Sequence, residues 1–314
     1  MYSGNTPSPS FPASFRCSDA AAALLAGAVS CVEDFEPGSK DFGRSRLVID
    51  GMVTSDGSGN RVRLSMSAPY GTVKEGFEPV TGASVTVSSA DGTVVLKEKD
   101  EAGLYLAPED FCGRVGQTYH LRVETDTPGI AGVYEAEDVM PESGVRADAF
   151  DYYRMGDSMW VFAIWGQDMP GIISNYAAVL SIRDGVPDEF GNWVFISGLQ
   201  IFDGNYLNGG EYLFYISNSD PSRGELRPAL EKGDRVVLYF YSISDIFYKY
   251  KMAMLDESVA HLPLFTAQPA NLPANISGGA VGLFGCAYVT KMSLIVDDPA
   301  RTRLQMLKDH GMVP

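Results

Sequence analysis

Side chains that alternate between apolar and polar at every second residue, in runs cut short by glycine-bearing turns, constrain this chain more than any other feature. In "RVRLSMS" (61–67), Val62, Leu64 and Met66 alternate with Arg61, Arg63 and Ser65. A period of two sends one set to a core and the other to water only if the backbone is extended. "GASVTVSSADGTVVLKEK" repeats the pattern, with Val85 and Val87, an Asp91-Gly92 turn, then Val94 and Leu96, which predicts a hairpin. "RLVIDGMVT", "GLYLAPEDF", "GQTYHLRVET" and "GVYEAEDVM" supply further strands. Seven or so short strands in about 100 residues predict a β-sandwich of immunoglobulin or transthyretin type over 46–140.

"PESGVRADAF" (141–150) reads as a boundary, and beyond it the strands are longer and more aromatic: "SMWVFAIWGQ", "NYAAVLSIRDG", "WVFISGLQIF", "EYLFYIS" and "DRVVLYFYSIS". Continuous apolar runs belong to strands covered on both faces, so residues 145–298 are expected to form a second, larger sandwich. One helix interrupts it, over 244–257, with Ser242 and Asp245 as an approximate capping box and Phe247, Tyr250 and Met254 as its apolar stripe. The last strand is placed at Ala287 to Val296, and the 299–314 tail as one short helix or a loose end. The fold class is therefore all-β with two sandwich domains. Thirty-three glycines, 18 prolines, 16 tyrosines and 16 phenylalanines suit it.

A different pattern precedes these strands. Residues 20–30, "AAAALLAGAVS", are eleven small apolar residues, where a membrane-crossing helix needs about 20. A secretory signal has a basic start, an apolar stretch of about 7 to 15 residues and small residues at its exit. Arg16, Ala20 to Gly27 and Ala28-Val29-Ser30 supply these, and Cys31 follows. This resembles a bacterial lipobox, in which the cysteine thiol takes a diacylglycerol, the bond before it is cut and the new amino group is acylated. Residues 1–30 would then be a lipoprotein signal peptide and 31–45 a tether. Two acyl chains or more hold a protein firmly to a membrane, one only marginally. The same run also fits a tail leading into a buried Ala-rich helix. Glu33, Asp34 and Glu36 behind Cys31 resemble the surface-export signal of Bacteroidota lipoproteins, and equally suit an acidic chain.

Charge removes one class of function. Lys and Arg number 24 against 40 Asp and Glu, a net charge of −16, with no basic cluster, so nucleic acid is not an expected partner. Of the four cysteines Cys17 lies in the segment expected to be removed, and Cys112 and Cys286 are read as two unpaired thiols or one bridge between domains. His120, His261 and His310 are scattered, and G-x-S-x-G, H-E-x-x-H and the phosphate-binding glycine loop are missing. No enzyme and no cofactor are expected, although paired carboxylates of a glycan hydrolase are not readable from sequence. "DGSGN" (56–60) and "DEFGN" (188–192) bring oxygen ligands together but lack the spaced acids of a calcium loop; turns explain both. Trp193 and Tyr206, set among Gly and Asn residues, are the candidate ligand contacts, while Trp160 and Trp165 are assigned to the core.

Several segments together, "LVIDGMVT", "PVTGASVTV", "GLYLAPEDFCGRVGQTYHLRVET", "LEKGDRVVLYFYSISDIFYKY" and "PANLPANISGGAVGLFGCAYV", with Cys31 and its acidic follower, resemble the Bacteroidota lipoproteins grouped as domain of unknown function 4249. The resemblance covers nearly all the chain after Cys31. It implies an envelope lipoprotein associated with a TonB-dependent outer-membrane receptor, and it carries no catalytic residue. The expectation is a lipid-anchored outer-membrane surface protein, a non-catalytic binding or accessory component of such an uptake system. The alternative is a pilus or adhesin subunit.

Overall fold

The structure, a computed structural model, describes residues 45–67, 78–99, 101–157, 159–170, 175–182, 209–217, 219–220, 225–226, 230–259 and 272–314. Strands β1 (Leu47–Thr54) and β2 (Arg61–Met66) form a hairpin in which Ile49 lies opposite Leu64 and Gly51 opposite Val62. This register puts Leu47, Ile49, Val53, Val62 and Leu64 on one face, where all are buried. Strands β3 (Glu78–Pro79), β4 (Ser84–Ser89), β5 (Gly92–Glu98), β6 (Leu104–Leu106), β7 (Thr118–Thr125) and β8 (Gly132–Val139) continue it, in the path β1-β2-β6-β5-β4-β7-β8, with β3 beside β2. The β4–β5 hairpin turns through Ala90 and Asp91, one residue before the expected Asp91-Gly92, so that Gly92 opens β5 opposite Ser89, and Val85, Val87, Leu121 and Val123 meet Ile49 and Leu64 in one core.

A second set of strands is longer. β9 (Val145–Met155), β10 (Met159–Asp168) and β12 (Glu211–Ser217) make a three-stranded sheet in the order β12-β10-β9. β11 (Asn175–Ile182) pairs with β15 (Arg235–Ile243), and β13 (Ser219–Asp220) with β14 (Glu225–Leu226). Phe162 and Ile164 of β10, Phe214 and Ile216 of β12, and Val236, Leu238 and Phe240 of β15 form a second core. In it the Phe214 and Phe240 rings stack at 5.8 Å.

One strand belongs to both sets. β16 (Val281–Ile295) is 15 residues long. Its first half runs parallel to β1, Val48 opposite Val281 through Thr54 opposite Ala287, and its second half antiparallel to β15, from Ala287 to Ile295. Phe284 and Cys286 therefore enter the first core. On the opposite face Leu283, Ala287 and Val289 join Met52, Tyr241 and Ile243 beneath helix α1 (Asp245–Val259). Gly282 is required at φ +110°, where a Cβ would stand 2.0 Å from the Ile49 carbonyl oxygen, and Gly285 leaves room for the Phe247 ring. The chain ends in helix α2 (Arg303–Asp309), capped by Thr302, whose Oγ1 accepts the Gln305 N–H.

All-β architecture is observed, with four local differences from expectation. The last strand starts six residues earlier, at Val281, because its glycines make close contacts rather than a turn. Val145 to Phe150, expected in a boundary, already belong to β9. Ser242 does not cap α1: it is buried in β15, where its hydroxyl accepts the Gly144 N–H. Ser244 does so instead, accepting from Phe247 N–H through Oγ and from Tyr248 N–H through its carbonyl. Finally, the inward stripe of α1 is Phe247 and Lys251, while Met254 is exposed.

Candidate functional site

Cys31, Trp193 and Tyr206 all lie outside the described residues, as do His261 and the "DEFGN" loop. Among the described residues two charged side chains are buried, Asp168 of β10, which accepts the Gly209 N–H, and Lys251, where α1 rests on the sheet beside β16; the second has partly buried charges around it. Alternation along β1 and β2 turns Asp50 and Arg61 to this face, opposite the core residues Ile49 and Val62. Lys251, at i+4 from Phe247, is directed inward with it and is only 5% exposed, its ammonium 5.8 Å from the centres of both the Phe247 and Tyr250 rings. Burial lowers its proton affinity, the Asp50 charge opposes that, and Arg61 adds to it. Burial and Asp50 together push the Tyr250 hydroxyl up to about 12.

The β1–β2 turn completes the cluster. Asn60 holds it, accepting the Thr54 N–H and donating to the Phe111 carbonyl. Asp56 accepts the Ser58 N–H and hydroxyl on Oδ1 and pairs with the Lys291 ammonium on Oδ2. Burial alone would raise the Asp56 carboxyl, but Lys291 and Ser58 outweigh it and hold it below the usual carboxylate range. "DGSGN" is thus a turn whose acid is met by a lysine of β16. The same turn is tied to β16 by Ser55, which donates its N–H to the Ala287 carbonyl and accepts the Val289 N–H. Lys291 also lies 5.0 Å above the Tyr239 ring, which stacks on Tyr241.

A second partly buried acid, Asp138 at the end of β8, accepts the Cys286 N–H at 2.7 Å and a bond from Ser244. Burial nonetheless raises its carboxyl above the ordinary value, and burial with Asp138 raises the Cys286 thiol well above the thiol range. Cys286 is therefore a protonated core side chain at neutral pH. Cys112 is exposed, and both thiols are free, so the bridge between them is not formed. His120 occupies an exposed strand position beside Glu137. Among the described residues no group of three or more His, Cys, Asp or Glu side chains is placed to hold a metal ion, and no helix is long and apolar enough to cross a membrane.

The segment "PANISGGAVGLFG" earns its residues structurally. The Asn275 side-chain amide donates to the Glu137 and Phe284 carbonyls and accepts the Phe284 N–H, sewing β8 to β16. Ile276 packs on the first core and Ser277 bonds Glu135. The family model described as "Domain of unknown function (DUF4249)" matches residues 32–293. The chain belongs to that family. Two of the segments that carry the DUF4249 resemblance, the Tyr241 to Ser244 strand end and this bend, build the junction around β16. No curated protein matches. Among solved structures the chain is similar to a Bacteroides uniformis protein described provisionally as carbohydrate-binding, at 11% identity over 80% of this chain and 100% of that one. The TM-score is 0.21, and the likeness carries no argument.

Two features escaped the sequence reading. The burial of Lys251 had no signal: the charged residues of α1, Asp245, Lys249, Lys251, Asp256 and Glu257, are spread round the helix rather than gathered on one face. The second is a cluster, announced by no local pattern, of Asp151 with Arg301 and His310, which lie 150 and 159 positions away from it.

Proposed function

We propose that this DUF4249 chain is a lipid-anchored protein of the outer-membrane surface that serves as a non-catalytic binding or accessory component of a TonB-dependent uptake system. The observation that carries the reading is the position of Cys31: an apolar run with a small-residue exit ends on it, and the family match begins one residue later, at 32. Acylation there would convert a water-soluble, strongly acidic β protein into a membrane resident. The described chemistry favours binding over turnover, since the charges of the α1 face are engaged with one another and the buried thiol is protonated. Such a protein works by presentation, with its loops or sheet edges touching receptor or cargo.

The test is affinity purification of the tagged, membrane-inserted protein after mild crosslinking. Recovery of a porin-sized TonB-dependent receptor supports the accessory role. Ladders resistant to sodium dodecyl sulfate, with no receptor, would support the pilus or adhesin reading instead.

A further inference from the structure

The outer face of the β12-β10-β9 sheet is covered by the chain's own end. Met306 of α2 is fully buried against Tyr153, Val161 and Ala163, with Trp165, Leu213 and Tyr215 around them. Charged groups frame this slot. The Asp151 carboxylate takes Arg301 at 2.7 Å and His310 at 2.9 Å. Arg303 lies 5.9 Å over the Tyr215 ring, the His310 ring packs on Trp165 at 4.3 Å, and the Trp165 indole N–H donates to the Met312 sulfur. Trp165, assigned to the core from sequence, is in fact half-buried and belongs to this face.

The face and its cover differ in how they are held. The face consists of strands paired along their length. The cover is a seven-residue helix with one wholly buried side chain, Met306, and Leu307 partly buried beside it, Leu304 being exposed, and a helix so short persists only while docked. Its root is fixed separately: the Tyr152 hydroxyl donates to Asp297 and accepts the Asp297 and Asp298 N–H groups, just before Pro299. The family match, ending at residue 293, includes the face and not the cover.

We propose that residues 301–314 are a strap standing in for a partner, and that this face is a docking site for a short basic helix presenting an arginine, a methionine and an imidazole in the spacing of Arg303, Met306 and His310. The cover itself specifies the chemistry: a cation over Tyr215, a thioether in the central slot, and a flat ring on Trp165 beside Asp151. The strap lowers the apparent affinity of any such partner by the fraction of time it stays closed. This inference is independent of the lipid anchor.

A fluorescently labelled synthetic peptide of residues 299–314 is the probe, with the full chain as receptor and anisotropy as readout. Met306→Ala loosens the strap and leaves the face intact, so it is expected to bind the peptide about tenfold more tightly than the wild type; Trp165→Ala added to it should abolish the gain. Equal affinity of Met306→Ala and wild type overturns the proposal. Should circular dichroism show that Met306→Ala is misfolded, hydrogen exchange of the wild type decides. Strap amides exchanging well before those of β10 support a releasable cover, and exchange of both only on global unfolding overturns it.

Discussion

Gly285→Ala tests the junction most sharply. A Cβ at this position would stand 2.2 Å from Cδ2 of Phe247 and 3.1 Å from Cε2, roughly 1 Å inside ordinary van der Waals contact. Gly285 has no left-handed backbone requirement, so the effect isolates one contact. Phe247 is 1% exposed and bounded by Leu283, Ala287 and Ile243; its ring has no room to retreat unless α1 lifts. Overpacking of this kind costs about 1–3 kcal/mol, and the rigid surroundings place it in the upper half. The folding constant should fall by about 30- to 150-fold and the melting temperature by about 4–12 °C. Urea denaturation followed by circular dichroism and tyrosine–tryptophan fluorescence measures this. Phe247→Ala alone should cost about 3–5 kcal/mol, and the double variant should be less destabilised than the sum, because the clash is gone. A Gly285→Ala chain within about 0.5 kcal/mol of wild type, or a strictly additive cycle, would refute the packing of α1 on β16.

Three further outcomes follow from the buried groups. Asp50→Ala leaves the buried Lys251 beside Arg61 without that carboxylate and should cost about 3 kcal/mol in urea denaturation, whereas Lys251→Met should stay within about 1 kcal/mol of wild type; equal costs would contradict the arrangement. The Asp138 carboxyl, raised by burial, holds its proton more tightly when folded, so its contribution is full below the unfolded value near 3.8 and is lost as pH climbs through the raised value. Asp138→Asn should therefore gain in stability relative to wild type between about pH 4 and 7, and a difference independent of pH would argue against it. Native alkylation with mass-spectrometric mapping should modify Cys112 rapidly and Cys286 only on unfolding; labelling of Cys286 in the folded protein would show that its burial is wrong.

The strands were legible wherever one face is wet. Val62/Leu64 and Val85/Val87 state their inward face in the sequence, because a period of two has one structural solution, while the β4–β5 turn falls one residue earlier than Asp91-Gly92, at Ala90-Asp91. The double pairing of β16 was not legible. Gly282 and Gly285 look like turn residues, and only their neighbours, the Ile49 carbonyl and the Phe247 ring, show that they mark close approach within a strand. Ser242 reads as the cap from its spacing to Asp245, but β15 runs on to Ile243, paired with Asn175 and Ala287, and leaves Ser244 as the residue at the helix start. Lys251 was hidden because α1 lacks a polar face. The Asp151, Arg301 and His310 cluster is purely long-range. Cys31 stands apart: it rests on chemistry written entirely in local sequence.

That cysteine carries the central claim, and the mature N-terminus tests it directly. Mass spectrometry of the protein extracted from outer membranes should find an N-terminal peptide beginning at Cys31 with diacylglycerol on its sulfur and an acylated amino group. An intact peptide running through residues 20–36, with a free thiol at 31 and the protein in the soluble fraction, would contradict the account.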